Sequence, residues 1–266
     1  LTVNKSLSYQ VLAKEDIKVP ATAALQNLFD KEGEPQTGIT QLLAQLQFPL
    51  FLKPENGSQG IGIALAEDVA QLLSHLKLWQ KKYPAFLAQE FINAPEYRIL
   101  MLDGKPRFVY RRIPGKVCGD GKSTLTELVT KLKQSTDLDL HFGINRSYIF
   151  EQLLQLDADW QSVIPEGVEI KLSPGVSLKS GRSFSHLVFT FPSSWNTWLS
   201  KINRAINSRL YAIDFFMCGD YSNPDDFVVI EINSNPRFTF LERTPHRNVA
   251  VAIWAEILEK SFERFK

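Results

Sequence analysis

The order of secondary-structure signals predicts an α+β fold, because strands and helices mix along the chain without the strict alternation of a doubly wound parallel sheet. Two local patterns set this reading. Val69, Leu72, Leu73, Leu76 and Trp79 recur at helical spacing and mark a helix over 67–82. Glu96 to Leu102 and Arg107 to Ile113 read as strands, joined by the hairpin turn signal Asp103-Gly104.

The remaining elements follow in order. Asn4 to Leu12 reads as a short helix behind an Asn cap, ending before Ile17-Lys18-Val19-Pro20. Gly33 to Gly38 reads as a loop. Phe48 to Pro54 is a strand closed by proline, and Phe86 to Ile92 is another. Gly119 to Ser123 is a tight turn, with a helix from Thr124. Asp137 to Ser147 gives no readable signal. Tyr148 to Leu156 and Ser193 to Asn207 are expected helices, with strands at Val168 to Leu172 and Ser185 to Phe191. The strands Tyr211 to Met217 and Val228 to Asn233 precede a final helix over 246–265.

With 266 residues, 44% hydrophobic and 22% charged, the chain has the composition of a soluble globular protein of one large domain or two lobes. A formal net charge of +1 and dispersed basic residues give no electrostatic footprint for nucleic acid. Cys118 and Cys218, like the four histidines, lack zinc spacing, so two buried or idle thiols in a reducing compartment are expected. No apolar run is long enough to span a bilayer and no signal peptide is legible, which makes the cytoplasm the expected location. The chain opens on Leu1 rather than Met, as expected where an N-terminal segment has been removed or left out.

Four groups of residues carry chemistry. Glu231 and Asn233 alternate on one face of a β-branched strand, and Asp214 is embedded in the apolar strand before it. All three are hard oxygen donors of the kind that suits Mg²⁺ beside phosphates. Surface hairpin strands with solvated acids are the other reading. Gly57, Ser58, Gln59, Gly60, Ile61 and Gly62 form a glycine-rich loop whose backbone N–H groups can approach phosphate, and Lys53 stands at the end of the preceding strand. The loop is neither a Walker A motif nor a dinucleotide fingerprint. Glu90, Phe91 and Ile92 lead into an Asn-Ala-Pro turn, where backbone groups can meet an adenine edge and Glu96 can accept ribose hydroxyls; a plain strand-turn-strand is the alternative. Arg111 and Arg112 end a strand, and the pleat sends at most one of them into a given site. No nucleophilic triad is legible.

In this order the pieces resemble the ATP-grasp superfamily of ligases, and within it the cyanophycin synthetase and bifunctional glutathione synthetase branch. The resemblance runs through Asn4-Lys5, Leu52-Lys53-Pro54, the Gly57–Gly62 loop, Gln89-Glu90-Phe91-Ile92 and Glu96-Tyr97-Arg98. It continues through Arg111-Arg112-Ile113-Pro114, Gly119-Asp120-Gly121-Lys122-Ser123-Thr124, Ile213-Asp214 and Glu231-Ile232-Asn233-Ser234-Asn235-Pro236. It implies two α+β lobes gripping ATP: residues 1–19 as a lead-in helix of the larger lobe, 20–93 as the smaller lobe, and 94–266 as the larger. It further implies that Lys5 and Lys53 hold phosphates under the Gly57–Gly62 loop, that Glu90, Phe91 and Ile92 frame adenine, and that Glu96 takes the ribose. Asp214, Glu231 and Asn233 would bind two Mg²⁺ ions, with Mn²⁺ as a substitute.

The implied activity is an ADP-forming carboxylate–amine ligase working through an acyl phosphate, with Arg111 or Arg112 stabilising the transferring phosphoryl group. Its partners would be a small-molecule carboxylate and amine, not nucleic acid or membrane. Two departures stand out. The small N-terminal domain that family members usually carry is not read before Asn4; because that domain often helps form the substrate pocket or the dimer, a homo-oligomer or a missing N-terminal domain is the expectation. Around 171–182 the branch's substrate-side arginine is missing, leaving Lys171, Lys179 or Arg182 to replace it, and Lys179 is taken as the catalytic candidate. A nucleotide-binding module without ligase activity and an ATP-grasp kinase are the competing readings.

Overall fold

The computed structural model describes residues 5–26, 47–55, 64–79, 82–83, 85–134, 146–172, 182–238, 241–242 and 245–263. Asn4, the Gly57–Gly62 loop and Lys179 lie outside them, as do the side chain of Arg182 and most of 137–147. The described residues of 5–113 and 184–235 form one compact unit, and those of 114–183 and 236–263 form another.

The first unit contains two antiparallel sheets. One has the order β1-β4-β2-β3, from β1 (Thr22–Gln26), β2 (Leu50–Pro54), β3 (Ala64–Ala66) and β4 (Ala85–Glu90). Helix α2 (Val69–Trp79) supplies the buried Leu72 and Leu76 against Leu25, Leu50, Leu52, Phe86 and Ala88 of this sheet. The strand β1 answers to no sequence signal, since Thr-Ala-Ala-Leu-Gln lacks the β-branched alternation that marks the others.

The second sheet runs β11-β10-β5-β6-β9, from β5 (Glu96–Leu102), β6 (Lys105–Pro114), β9 (Arg182–Val188), β10 (Leu210–Met217) and β11 (Phe227–Asn233). β9 begins and ends three residues earlier than expected. Asp103 and Gly104, with φ of 49° and 75°, make the tight β5–β6 turn that the sequence signals. The amphipathic helix α5 (Trp195–Ile206) buries Trp195, Trp198, Leu199, Ile202 and Ile206 against one face of the sheet. That face is built of alternate strand residues: Ile99 and Met101, Val109, Tyr211, Ile213 and Phe215, Val229 and Ile232. Trp195 is fully buried and its indole N–H donates to the Tyr221 carbonyl at 2.7 Å, so the core keeps its large ring without an orphaned donor. Asn207 closes α5 in the left-handed conformation. Because one face is committed to this core, the intervening residues must all point to the other. Helix α1 (Lys5–Ala13) belongs to the same unit and adds Leu12 to its core.

The second unit packs α3 (Leu125–Gln134) and α4 (Arg146–Gln155) on the short two-stranded antiparallel sheet of β7 (Lys116–Cys118) and β8 (Glu169–Lys171), through Val117, Leu125, Val129, Ile149, Leu153 and Ile170. It also holds α6 (Arg247–Glu263). Both thiols are free and exposed, so of the expectation of buried or idle thiols the buried alternative does not hold. Among the described residues no helix is long and apolar enough to cross a membrane.

Candidate active site

The face of the five-stranded sheet opposite α5 is where charge accumulates. Strand register sets a row across four strands: Glu231 lies opposite Asp214, Asp214 opposite Arg98, and Arg98 opposite Tyr110. On one side of this row Asn233 lies opposite Ala212, and on the other Glu96 lies opposite Arg112. A bulge in β11, where Ile230 is the extra residue, keeps Glu231 on this face while Val229 stays in the core. Asp214, Glu231 and Asn233 are thus brought onto one side of two neighbouring strands.

Four of these groups form a buried ion-pair network. Arg98 engages both oxygens of Asp214, through Nε to Oδ1 and through Nη2 to Oδ2 at 2.5 Å. The same Oδ2 accepts from Arg112 Nη1 at 2.9 Å, and Arg112 Nη1 also pairs with Glu96 Oε1. Each of the four residues is less than 10% exposed. Burial disfavours the Arg98 charge, but the Asp214 carboxylate together with Tyr110 and Glu96 outweighs it and raises the pKa above the usual arginine value. Arg111 occupies a core-side position of the pleat opposite Tyr97, so the two adjacent arginines point to opposite faces.

A second cluster is assembled by α1, β2, β4 and β11. Lys53 is 6% exposed, and its ammonium donates to the Tyr9 hydroxyl and to Gln89 Oε1, both at 2.9 Å. It also lies 5.4 Å from the centre of the Tyr9 ring. The Tyr9 hydroxyl accepts from Gln89 Nε2 at 3.1 Å and donates to the carbonyl of the bulged Ile230 at 2.6 Å. Burial brings the Lys53 pKa down to about 8, partly offset by Glu231. Burial likewise lowers Lys5, with Lys53 pushing the same way and Glu231 and Glu55 opposing. Two lysines therefore share the neighbourhood of one carboxylate. Ser6 Oγ donates to Glu55 Oε1 at 2.8 Å beside them.

At the edge of the four-stranded sheet, Glu90 Oε1 accepts from the Ala21 N–H at 2.9 Å. The Phe91 N–H is used by the Pro49 carbonyl, while its ring is 41% exposed and stacks 6.3 Å from Phe51. Ile92 is half-buried beyond it. The Gly119–Ser123 turn is a structural device. Asp120 accepts from the N–H groups of Lys122 and Ser123 and from the Ser123 hydroxyl. These bonds, led by the hydroxyl, hold its carboxyl well below the usual range.

Tyr9, Gln89 and Arg98 are given no role by the sequence, although Gln89 and Arg98 belong to segments that carry the resemblance. Arg98 and Gln89 did leave a signal, since each is a long polar side chain inside an otherwise apolar strand, where burial demands a partner. Tyr9 left none.

Among the described residues no three His, Cys, Asp or Glu side chains gather as a self-sufficient metal cage. Two carboxylates and an amide oxygen beside two lysines do fit a hard divalent cation that arrives with phosphates, because such a cation keeps part of its shell from phosphate and water.

Residues 2–114 match the RimK-like ATP-grasp domain. The glutathione biosynthesis bifunctional protein GshAB of Streptococcus thermophilus is 25% identical over 285 residues, covering 97% of this chain and 35% of that protein. Cyanophycin synthetase of a Synechocystis species is 25% identical over 229 residues, covering 81% of this chain and 26% of its own. The chain thus spans about a third or less of the length of these relatives. Among solved structures, D-alanine–D-alanine ligase from Bacillus anthracis superposes with a TM-score of 0.56 at 15% identity, over 95% of this chain and 62% of that one. A bifunctional glutathione synthetase from Pasteurella multocida gives 0.53 at 18%, over 96% and 36%.

Proposed function

The chain belongs to the ATP-grasp superfamily, and from that premise we propose that it is an ADP-forming carboxylate–amine ligase. Its substrates would be a small carboxylic acid, such as an amino acid or peptide, and an amine. The observation that carries the reading is the convergence of Lys5, Lys53 and Glu231, with Asp214 opposite Glu231 on the next strand. A triphosphate needs cations along its oxygens and carboxylates to hold its metal, and little else from the protein.

Lys5 and Lys53 bind phosphate oxygens, and Gly57–Gly62, outside the described residues, is assigned to the same phosphates. Tyr9 and Gln89 hold Lys53 in place from two sides, so the ammonium is oriented before the nucleotide arrives. Glu90, Phe91 and Ile92 frame the adenine, with the exposed Phe91 ring as its stacking surface, and Glu96 takes the ribose. Asp214, Glu231 and Asn233 hold Mg²⁺, which supplies charge neutralisation at the phosphates when bound.

A substrate carboxylate oxygen attacks the γ-phosphorus, the bond to the β-phosphate oxygen breaks, and ADP leaves. The amine then adds to the acyl carbon of the acyl phosphate, loses a proton, and displaces inorganic phosphate to leave an amide. Neither step requires a protein nucleophile. Arg112 is the arginine on the site's face and stabilises the transferring phosphoryl group, while Lys179 is assigned to the substrate side.

A panel of carboxylic acids with ATP, Mg²⁺ and hydroxylamine tests the assignment. Hydroxamate formed together with ADP is expected for at least one acid. ADP with a stable phosphorylated product would overturn the ligase reading in favour of a kinase. Nucleotide binding without turnover would overturn it in favour of a binding module.

A further inference from the structure

Arg112 is bonded at once to the two acids that the proposed function gives to different parts of the nucleotide complex: Glu96, for the ribose, and Asp214, for the cation. Resting on that reading, we propose that Arg112 is an internal counter-cation that occupies the divalent-cation site until phosphate draws it away, and so positions Asp214 for metal.

The charges explain the arrangement. Glu96 and Asp214 are both buried and would repel one another and Glu231 if left uncompensated. Arg98 binds Asp214 through a two-point fork, a fixed geometry suited to a permanent anchor. Arg112 is held differently, with the single nitrogen Nη1 reaching both acids. Its Nε is buried without a hydrogen-bond partner among the described residues, so the guanidinium retains donor capacity for an incoming anion. With Arg112 in place, Asp214 accepts from two guanidinium groups, and a dication would meet both of their charges beside its ligand. Once a polyphosphate offers Arg112 a better anion, Asp214 keeps Arg98, sheds one of the two positive charges and faces Glu231 across the strand. Glu96 loses its Arg112 bond in the same movement, which couples ribose recognition to cation entry.

The test is made on the full chain without nucleotide, by titrating Mn²⁺ and following the free ion by electron paramagnetic resonance. Arg112→Met alone would remove a buried positive charge beside Glu96, so Glu96→Gln is added to keep the buried charges balanced. The wild type should bind Mn²⁺ weakly and E96Q/R112M at least tenfold more tightly. Adding Glu231→Gln to the double variant should abolish the gain. Equal affinity in wild type and E96Q/R112M, or a gain that survives E231Q, overturns the proposal. Because no nucleotide or turnover enters the measurement, its failure is distinct from failure of the ligase reading, which a separate ATP titration of the wild type reports.

Discussion

Lys53 donates to the hydroxyl of Tyr9 at 2.9 Å, and that hydroxyl in turn donates to the backbone of β11 one residue before Glu231. A single phenol thus ties the proposed phosphate-binding lysine to the strand that carries a proposed metal ligand. Tyr9→Phe keeps the ring but removes these two bonds and the one from Gln89. It should cost about 1–3 kcal/mol of stability and raise KM for ATP more than it lowers kcat. Steady-state kinetics with a denaturant melt checks this; an unchanged KM would separate Tyr9 from the site.

Lys53 should leave a mark on the pH dependence of stability. Its pKa is brought down by burial from 10.5 to about 8 in the fold. Between those values the unfolded chain binds more protons than the native one, so this group makes stability rise with pH from about 8 to 10.5. Below about 8 its destabilising effect is full and constant. Relative to Lys53→Met, the wild type should therefore gain up to about 3 kcal/mol across that window. Urea melts of both proteins at the two ends check it, and parallel pH profiles would contradict the burial of the charge.

Asp214 and Glu231 face each other but differ in what their loss does to the fold. Asp214→Ala removes both bonds of the buried Arg98 fork and one of the two acids bound by Arg112, and should cost about 3–5 kcal/mol. Glu231→Gln removes a half-buried carboxylate and should leave the melting midpoint nearly unchanged while abolishing turnover. Equal stability losses in the two variants would refute the network around Asp214.

The pleat separates the arginine doublet. Arg112→Gln should lower kcat by about a hundredfold or more, whereas Arg111→Gln should stay within a few-fold of the wild type. The opposite ranking would place the phosphoryl-binding face on the wrong side of β6.

Much of this was legible before any coordinates. The α+β class, the Asp103-Gly104 hairpin and the core helices α2 and α5 followed from turn chemistry and apolar period, which are local properties. The Glu231/Asn233 alternation was legible for the same reason. What remained hidden is long-range. Nothing in Lys5 to Ala13 announces that Tyr9 meets Lys53 and Gln89, because that contact depends on how α1 lies against both sheets. The sequence reading allowed only one of Arg111 and Arg112 into the site, but the choice required the strand register. Glu96 and Asp214 were legible as acids, whereas their shared Arg112 was not, since the three come together only through the pairing of β6, β5 and β10.

The acyl phosphate is the centre of the account, and isotope transfer tests it most directly. An acid that yields hydroxamate is labelled with ¹⁸O in its carboxylate and turned over with ATP and its amine. The account predicts one ¹⁸O atom in the inorganic phosphate for each amide formed. Phosphate carrying no label would contradict it.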